Sequence, residues 1–194
     1  MSEAAATRRP RADAQRNRER IIEAAVEAFQ QEGLDVSVAE IARRAGVGSG
    51  TLFRNFPTKD DLIRAIVEMH LDMWTEVIAQ ALEADDTAAA FDDYFAQTVQ
   101  FNYENRGMLE AFKEGVIDAP ELHECKARAL TRSDELFAAA KKAGALRDDI
   151  VTDDLYALAA GAAESARVVV REGLESPEAA QARYVKIMLA GMRP

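Results

Sequence analysis

The stretch "SVAEIARRAGVGSGTLFRNF", residues 37–56, holds two helix-length segments on either side of a glycine turn, and the fold depends on how it is read. Ser37 with Glu40 makes a capping box, Val38, Ile41, Ala42 and Ala45 recur at helical spacing, and Gly46 supplies a stop. After Gly46-Val47-Gly48, Leu52 and Phe56 stand four apart, with Ser49, Gly50, Thr51, Arg54 and Asn55 around them. This second segment reads as a short helix anchored by one face and offered by the other, closed by Pro57. Two such helices joined by a three-residue turn fit a helix-turn-helix, whose second helix enters the major groove of DNA while the first crosses the backbone.

Outward from this stretch, the punctuation remains that of helices. Upstream, Ile22, Ala25, Val26 and Phe29 predict a helix over about residues 14–32, ended by Gly33. Downstream, Thr58 with Asp61 caps a long helix to about residue 83, and Thr87 opens a fifth to about 105. A short sixth is expected over 108–113. Asp118-Ala119-Pro120 starts a seventh that Gly144 ends, Thr152 an eighth to about 172, and Ser176-Pro177-Glu178 a ninth. No β-type alternation appears, so the expected class is all-α. Residues 1–13 are predicted to be a flexible basic arm, 14–57 the helix-turn-helix domain and 58–194 a helical domain for an effector and for dimerisation.

The charge supports this division. The chain of 194 residues has a formal net charge of −10, which argues against a polyanion partner until it is split. Residues 1–60 hold ten Lys or Arg against nine acids, leaving −11 for the remainder. The front can approach phosphate and the back repels it. Hydrophobic residues make up 48 % of the chain, enough for a packed core, and there is one cysteine, no long apolar run and no apolar leader at the N-terminus. A cytoplasmic protein with no membrane partner is expected.

On the second short helix, Thr51 can donate to phosphate or touch a thymine methyl, and Asn55 and Arg54 can each bond a phosphate or a base edge. Gly48 and Gly50 let backbone N–H groups come close to a phosphate, and Lys59 adds a cation. Arg43, Ser49, Gly50, Thr51, Phe53, Arg54, Asn55 and Lys59 form the candidate DNA-contacting set, while Leu52 and Phe56 are read as core.

The segment "RERIIEAAVEAFQQEGLDVSVAEIARRAGVGSGTLFRNFPTKDDLIRAIV", residues 18–67, resembles the DNA-binding head of the tetracycline-repressor (TetR) family of bacterial transcriptional regulators. The stop at Gly33, the capped "SVAEIARRAGV", the "GTLFRNF" and Lys59 after Pro-Thr fall in register with it. The resemblance implies that Thr51, Arg54, Asn55 and Lys59 occupy positions of family DNA contacts. The family usually has tyrosine where this chain has Phe53, and often histidine in place of Asn55. It further implies a dimeric repressor of a double-stranded DNA operator, released by a small hydrophobic effector.

Candidate effector residues are His70, Met73, Trp74, Phe95, Phe101, Tyr103, Met108 and Phe112, an aromatic and Met-rich set that equally suits plain core. Leu155, Leu158, Ala162, Ala166, Val169, Val185, Met188 and Leu189 are candidates for a homodimer contact, or for burial within one subunit. His123 and Cys125, two apart on a helix, face away from each other, so no metal site is expected. No Cys-x-x-Cys, glycine-rich phosphate loop or Gly-x-Ser-x-Gly supports catalysis or a cofactor. Two other readings remain open: a helical enzyme or cofactor-binding protein with an attached DNA-binding head, and a DNA-binding protein without a ligand switch.

Overall fold

The structure, a computed structural model, describes residues 3–107, 109 and 120–194. Among these it is all helical: α1 (Glu3–Glu32), α2 (Val38–Ala45), α3 (Ser49–Asn55), α4 (Lys59–Glu83), α5 (Thr87–Glu104), α6 (Pro120–Lys142), α7 (Thr152–Arg171) and α8 (Pro177–Met192). The short helix expected over 108–113, with the candidates Met108 and Phe112, lies outside the described residues. The described chain falls into two compact units, an N-terminal one of residues 3–69, 107 and 109 and a C-terminal one of His70–Arg106 and Pro120–Pro194. The helix α4 contributes its start to the first and its remainder to the second.

In the N-terminal unit α1, α2 and α3 pack on one another through Ile21, Ala25, Ala28, Ile41, Leu52 and Phe56. Polar ties reinforce this small core. Arg44 reaches from α2 to Glu32 and to Gln31 (2.9 Å) at the end of α1, and the Arg18 guanidinium lies 5.0 Å over the Phe56 ring. Thr58 and Asp61 close a reciprocal cap at the start of α4: the Thr58 amide donates to Asp61 Oδ2 and the Asp61 amide to Thr58 Oγ1, each at 3.0 Å.

One boundary differs from the sequence reading. The helix α1 begins at Glu3 and runs through Pro10, so the backbone of residues 3–13 is helical where a flexible arm was expected. Ala4, Ala5, Ala6 and Ala12, with Arg8, Arg9 and Arg11, are strong helix formers, and here they outweigh the cost of one proline.

In the C-terminal unit α5, α7 and α8 pack together in every pairing, and α6 lies against α5 and α7. The face of α7 that allows this is small: Ala159, Ala162, Ala163 and Ala166 are fully buried, which lets neighbouring backbones come close. Large side chains from the other elements, among them Phe91, Phe95, Leu136 and Leu146, fill the space between. The C-terminus is fastened by Arg193, which donates to both Asp92 carboxylate oxygens (2.6 and 2.8 Å) and to the Ala145 carbonyl (2.8 Å).

Candidate nucleic-acid interface and effector region

The turn between α2 and α3 is set by Gly46, whose φ of 63° is left-handed and whose N–H bonds back to the carbonyls of Ala42 and Arg43. Gly48 then caps α3 with an ordinary extended backbone. Leu52 and Phe56 point into the unit's core and fix the roll of α3. That roll exposes Ser49, Gly50, Phe53 and Arg54 and leaves Thr51 and Asn55 half-buried. Phe53 is 49 % exposed, so its ring is surface rather than packing. Arg54 spends one N–H on Thr51 Oγ1 (3.1 Å), and the Asn55 amide donates to the Thr51 carbonyl (2.8 Å), which directs its oxygen away from its own helix. At Gly48 and Gly50 an added Cβ would meet nothing within 4 Å. No packing within the chain demands glycine there.

Two of the expected DNA contacts are otherwise engaged. Lys59 is half-buried, and its ammonium donates to the carbonyls of Leu34 and Val36 (2.9 Å for Val36) while lying 5.9 Å over Phe29. Here it ties the loop between α1 and α2, whose carbonyls have no helical partner and sit within its reach. Arg43 is exposed but forked onto Glu40 at 2.6 and 2.7 Å. With Arg44 also on it, Glu40 has its carboxyl held down at about 2, so a phosphate would compete with a permanent anion for Arg43.

The effector candidates divide. His70 and Trp74, one turn apart on α4, meet Phe101 of α5 edge-on at 4.9 and 5.5 Å, and Trp74 meets Tyr94 at 5.7 Å. Burial without a charged partner lowers the His70 imidazole to about 4. Phe95 is buried in the main cluster with Phe91 and Val99, because α5 turns that face inward. Met73 is exposed. Tyr103 instead lines a separate open groove of about 790 Å³ between α5 and α8, with Gln100, Val185 and Leu189. Sequence reading missed a buried hydroxyl relay, in which Ser133 Oγ lies 2.7 Å from Tyr156 Oη and Tyr156 Oη 3.4 Å from Tyr94 Oη. The signal was present, since Ser133 interrupts the apolar positions Ala129, Leu136, Phe137 and Ala140 of α6.

Comparison with known proteins gives this geometry a lineage. Residues 21–66 match the family of bacterial regulatory proteins called the tetR family, and residues 86–194 match the C-terminal domain of SbtR-like transcriptional regulators. A crystallised TetR transcription regulatory protein from Mycobacterium vanbaalenii is 32 % identical, with 95 % of this chain and 99 % of that one covered at a TM-score of 0.68. The chain belongs to the TetR family.

A second TetR regulator, from Streptomyces coelicolor, is 31 % identical at the same TM-score, with 91 % and 98 % covered. An HTH-type transcriptional regulator of Staphylococcus aureus (strain USA300) is 33 % identical over 112 residues, 54 % of this chain; the match spans only 58 % of that curated relative. No helix among the described residues is long and apolar enough to cross a membrane.

In this TetR-family chain the dimer candidates also divide. Leu155, Ala162 and Ala166 are buried within the subunit, the second of the two readings open for them, and the small residues of α7 there serve its packing on α5 and α8. Leu158, Val169, Val185, Met188 and Leu189 remain half-buried, and Ile187 is exposed.

Proposed function

We propose that this TetR-family chain is a homodimeric, sequence-specific DNA-binding repressor that leaves its operator when a small hydrophobic molecule binds the C-terminal unit. The observation that carries the reading is the face of α3: Arg54, Ser49, Gly50 and Phe53 stand outward on a helix rigidly seated by Leu52 and Phe56. Glycines at 48 and 50, which the fold does not require for space, suit close approach to another backbone. A single seven-residue helix reads few base pairs, so two copies reading half-sites about 34–36 Å apart supply the specificity. The half-buried apolar residues of α7 and α8 are the surface proposed for that pairing.

The helix α4 is continuous from Lys59 to Glu83 and carries His70 and Trp74 along its length, so a ligand among those rings acts on the element that begins beside the reading helix. Such a ligand releases DNA only by binding the released conformation more tightly than the bound one. The test is selection of an operator from random DNA, followed by a screen of small molecules for release of that complex. Selection of no sequence over background overturns sequence-specific reading, and an operator complex that only high salt dissolves overturns the effector switch.

A further inference from the structure

Among the described residues, four polar side chains are buried in the C-terminal unit: His70, Thr98, Asn105 and Ser133. Three of them spend a donor on a carbonyl one turn back in their own helix: Thr98 on Tyr94 (2.8 Å), Asn105 on Phe101 (3.0 Å) and Ser133 on Ala129 (2.9 Å). His70 is different. It is 9 % exposed, and its Nδ1 has no hydrogen-bond partner among the described residues. Buried polar atoms are rarely left unpaired, and one that is invites a partner that the described residues do not supply.

The surroundings of His70 limit that partner. Its ring is held by an edge contact to Phe101, which in turn meets Trp74 edge-on, and Trp74 and Phe101 are both half-buried, so the cluster reaches the surface through its aromatic rings. Among the described residues of the unit no carboxylate, ammonium or guanidinium is fully buried, and the nearby half-buried Arg167 guanidinium is already committed to the Asn102 and Tyr103 carbonyls and to Glu164, so a charged group brought into the cluster would find its counter-charge engaged. A neutral imidazole offers one nitrogen as an acceptor, and burial keeps this one neutral.

We propose that His70, Trp74 and Phe101 form the polar and aromatic contact for an uncharged ring compound bearing a hydroxyl, whose O–H donates to His70 Nδ1. This rests on the reading that the C-terminal unit takes a small hydrophobic effector, and it names the effector's chemistry. A hydroxyl supplies the missing hydrogen bond. An ether of the same shape supplies none, and a carboxylate adds an unbalanced charge.

The experiment measures binding of 2-naphthol, 2-methoxynaphthalene and 2-naphthoate to the full chain by calorimetry, without DNA. The expected result is that 2-naphthol binds about tenfold more tightly than the methyl ether, with 2-naphthoate weaker than both. In His70→Phe the ratio of naphthol to ether falls to within about twofold. In the unaltered chain the ¹⁵N resonance of His70 Nδ1 shifts with 2-naphthol and not with the ether, a readout that stands even if the variant fails to fold. Equal binding of naphthol and ether, preference for the carboxylate, a ratio that survives in His70→Phe, or no binding of any probe at its solubility limit overturns the proposal. If naphthol binds as expected but no operator can be selected, the regulatory reading fails and this one stands. If an operator is selected and the probes do not discriminate, the reverse holds.

Discussion

Arg54 stands on α3 with an exposed guanidinium that its own chain engages through a single bond to Thr51, and bidentate contact with a guanine edge is what this side chain does best. Arg54→Ala is expected to relax preference at one base pair of a selected operator by about 1–3 kcal/mol, measured by competition between operator variants; a uniform loss at every position would assign Arg54 to phosphate instead. Phe53 next to it is half exposed where the family usually has tyrosine. Phe53→Tyr should tighten operator binding by about 0.5–1.5 kcal/mol if the ring lies beside phosphate, and unchanged affinity would move it off the interface. His70 gives a third expectation. Its imidazole drops from the ordinary value near 6.5 to about 4 in the fold, so the unfolded chain takes up a proton first as pH falls. The stability it contributes is complete above pH 6.5 and is lost as pH falls toward 4, by about 3 kcal/mol at most. Denaturant titrations of His70→Phe across this window should lose that part of the pH dependence.

Among the elements, the loop between α1 and α2 depends on a residue far along the chain, since Lys59 ties the Leu34 and Val36 carbonyls to the start of α4. Lys59→Ala is therefore expected to lower the melting temperature through loss of charge-assisted bonds worth about 1.5–3 kcal/mol each, while the salt dependence of operator binding keeps its slope. A slope reduced by about one unit, with melting unchanged, would return Lys59 to the phosphate backbone. This is also where the limits of sequence reading are clearest. The Ser37 cap on the Glu40 amide, the reciprocal cap of Thr58 with Asp61, the stop at Gly46 and the buried spacing of Leu52 and Phe56 were legible because each depends on residues within four positions; the Glu40 carboxylate, expected to return to the Ser37 amide, goes to Arg43 and Arg44 instead. The partners of Lys59, the inward turn of Phe95 and the meeting of His70 with Phe101 were not, because each is decided by contacts between helices whose register the local pattern does not contain. The fifth helix shows the boundary case: its cap is Asp86, which accepts from the Ala89 amide at 3.0 Å, one residue before the expected Thr87.

For the whole molecule, the proposed pairing of subunits converts two weak half-site contacts into one strong one. Ile187, 52 % exposed on α8, is the residue whose charge substitution should disturb pairing without disturbing the fold. Ile187→Asp is expected to sediment as a monomer with unchanged helicity and to lose about a hundredfold or more in operator affinity, whereas a variant that stays dimeric places the contact on other residues. The chain also has a single indole, Trp74, set edge-on to Phe101 and Tyr94 in the C-terminal unit. All its near-ultraviolet emission above the tyrosine background therefore comes from one chromophore, and none from the unit that carries α3. Melting of the N-terminal unit alone would be dark to this signal. Any change in its wavelength or lifetime when DNA is added would then be a direct optical record of communication along α4, obtained without attaching a dye.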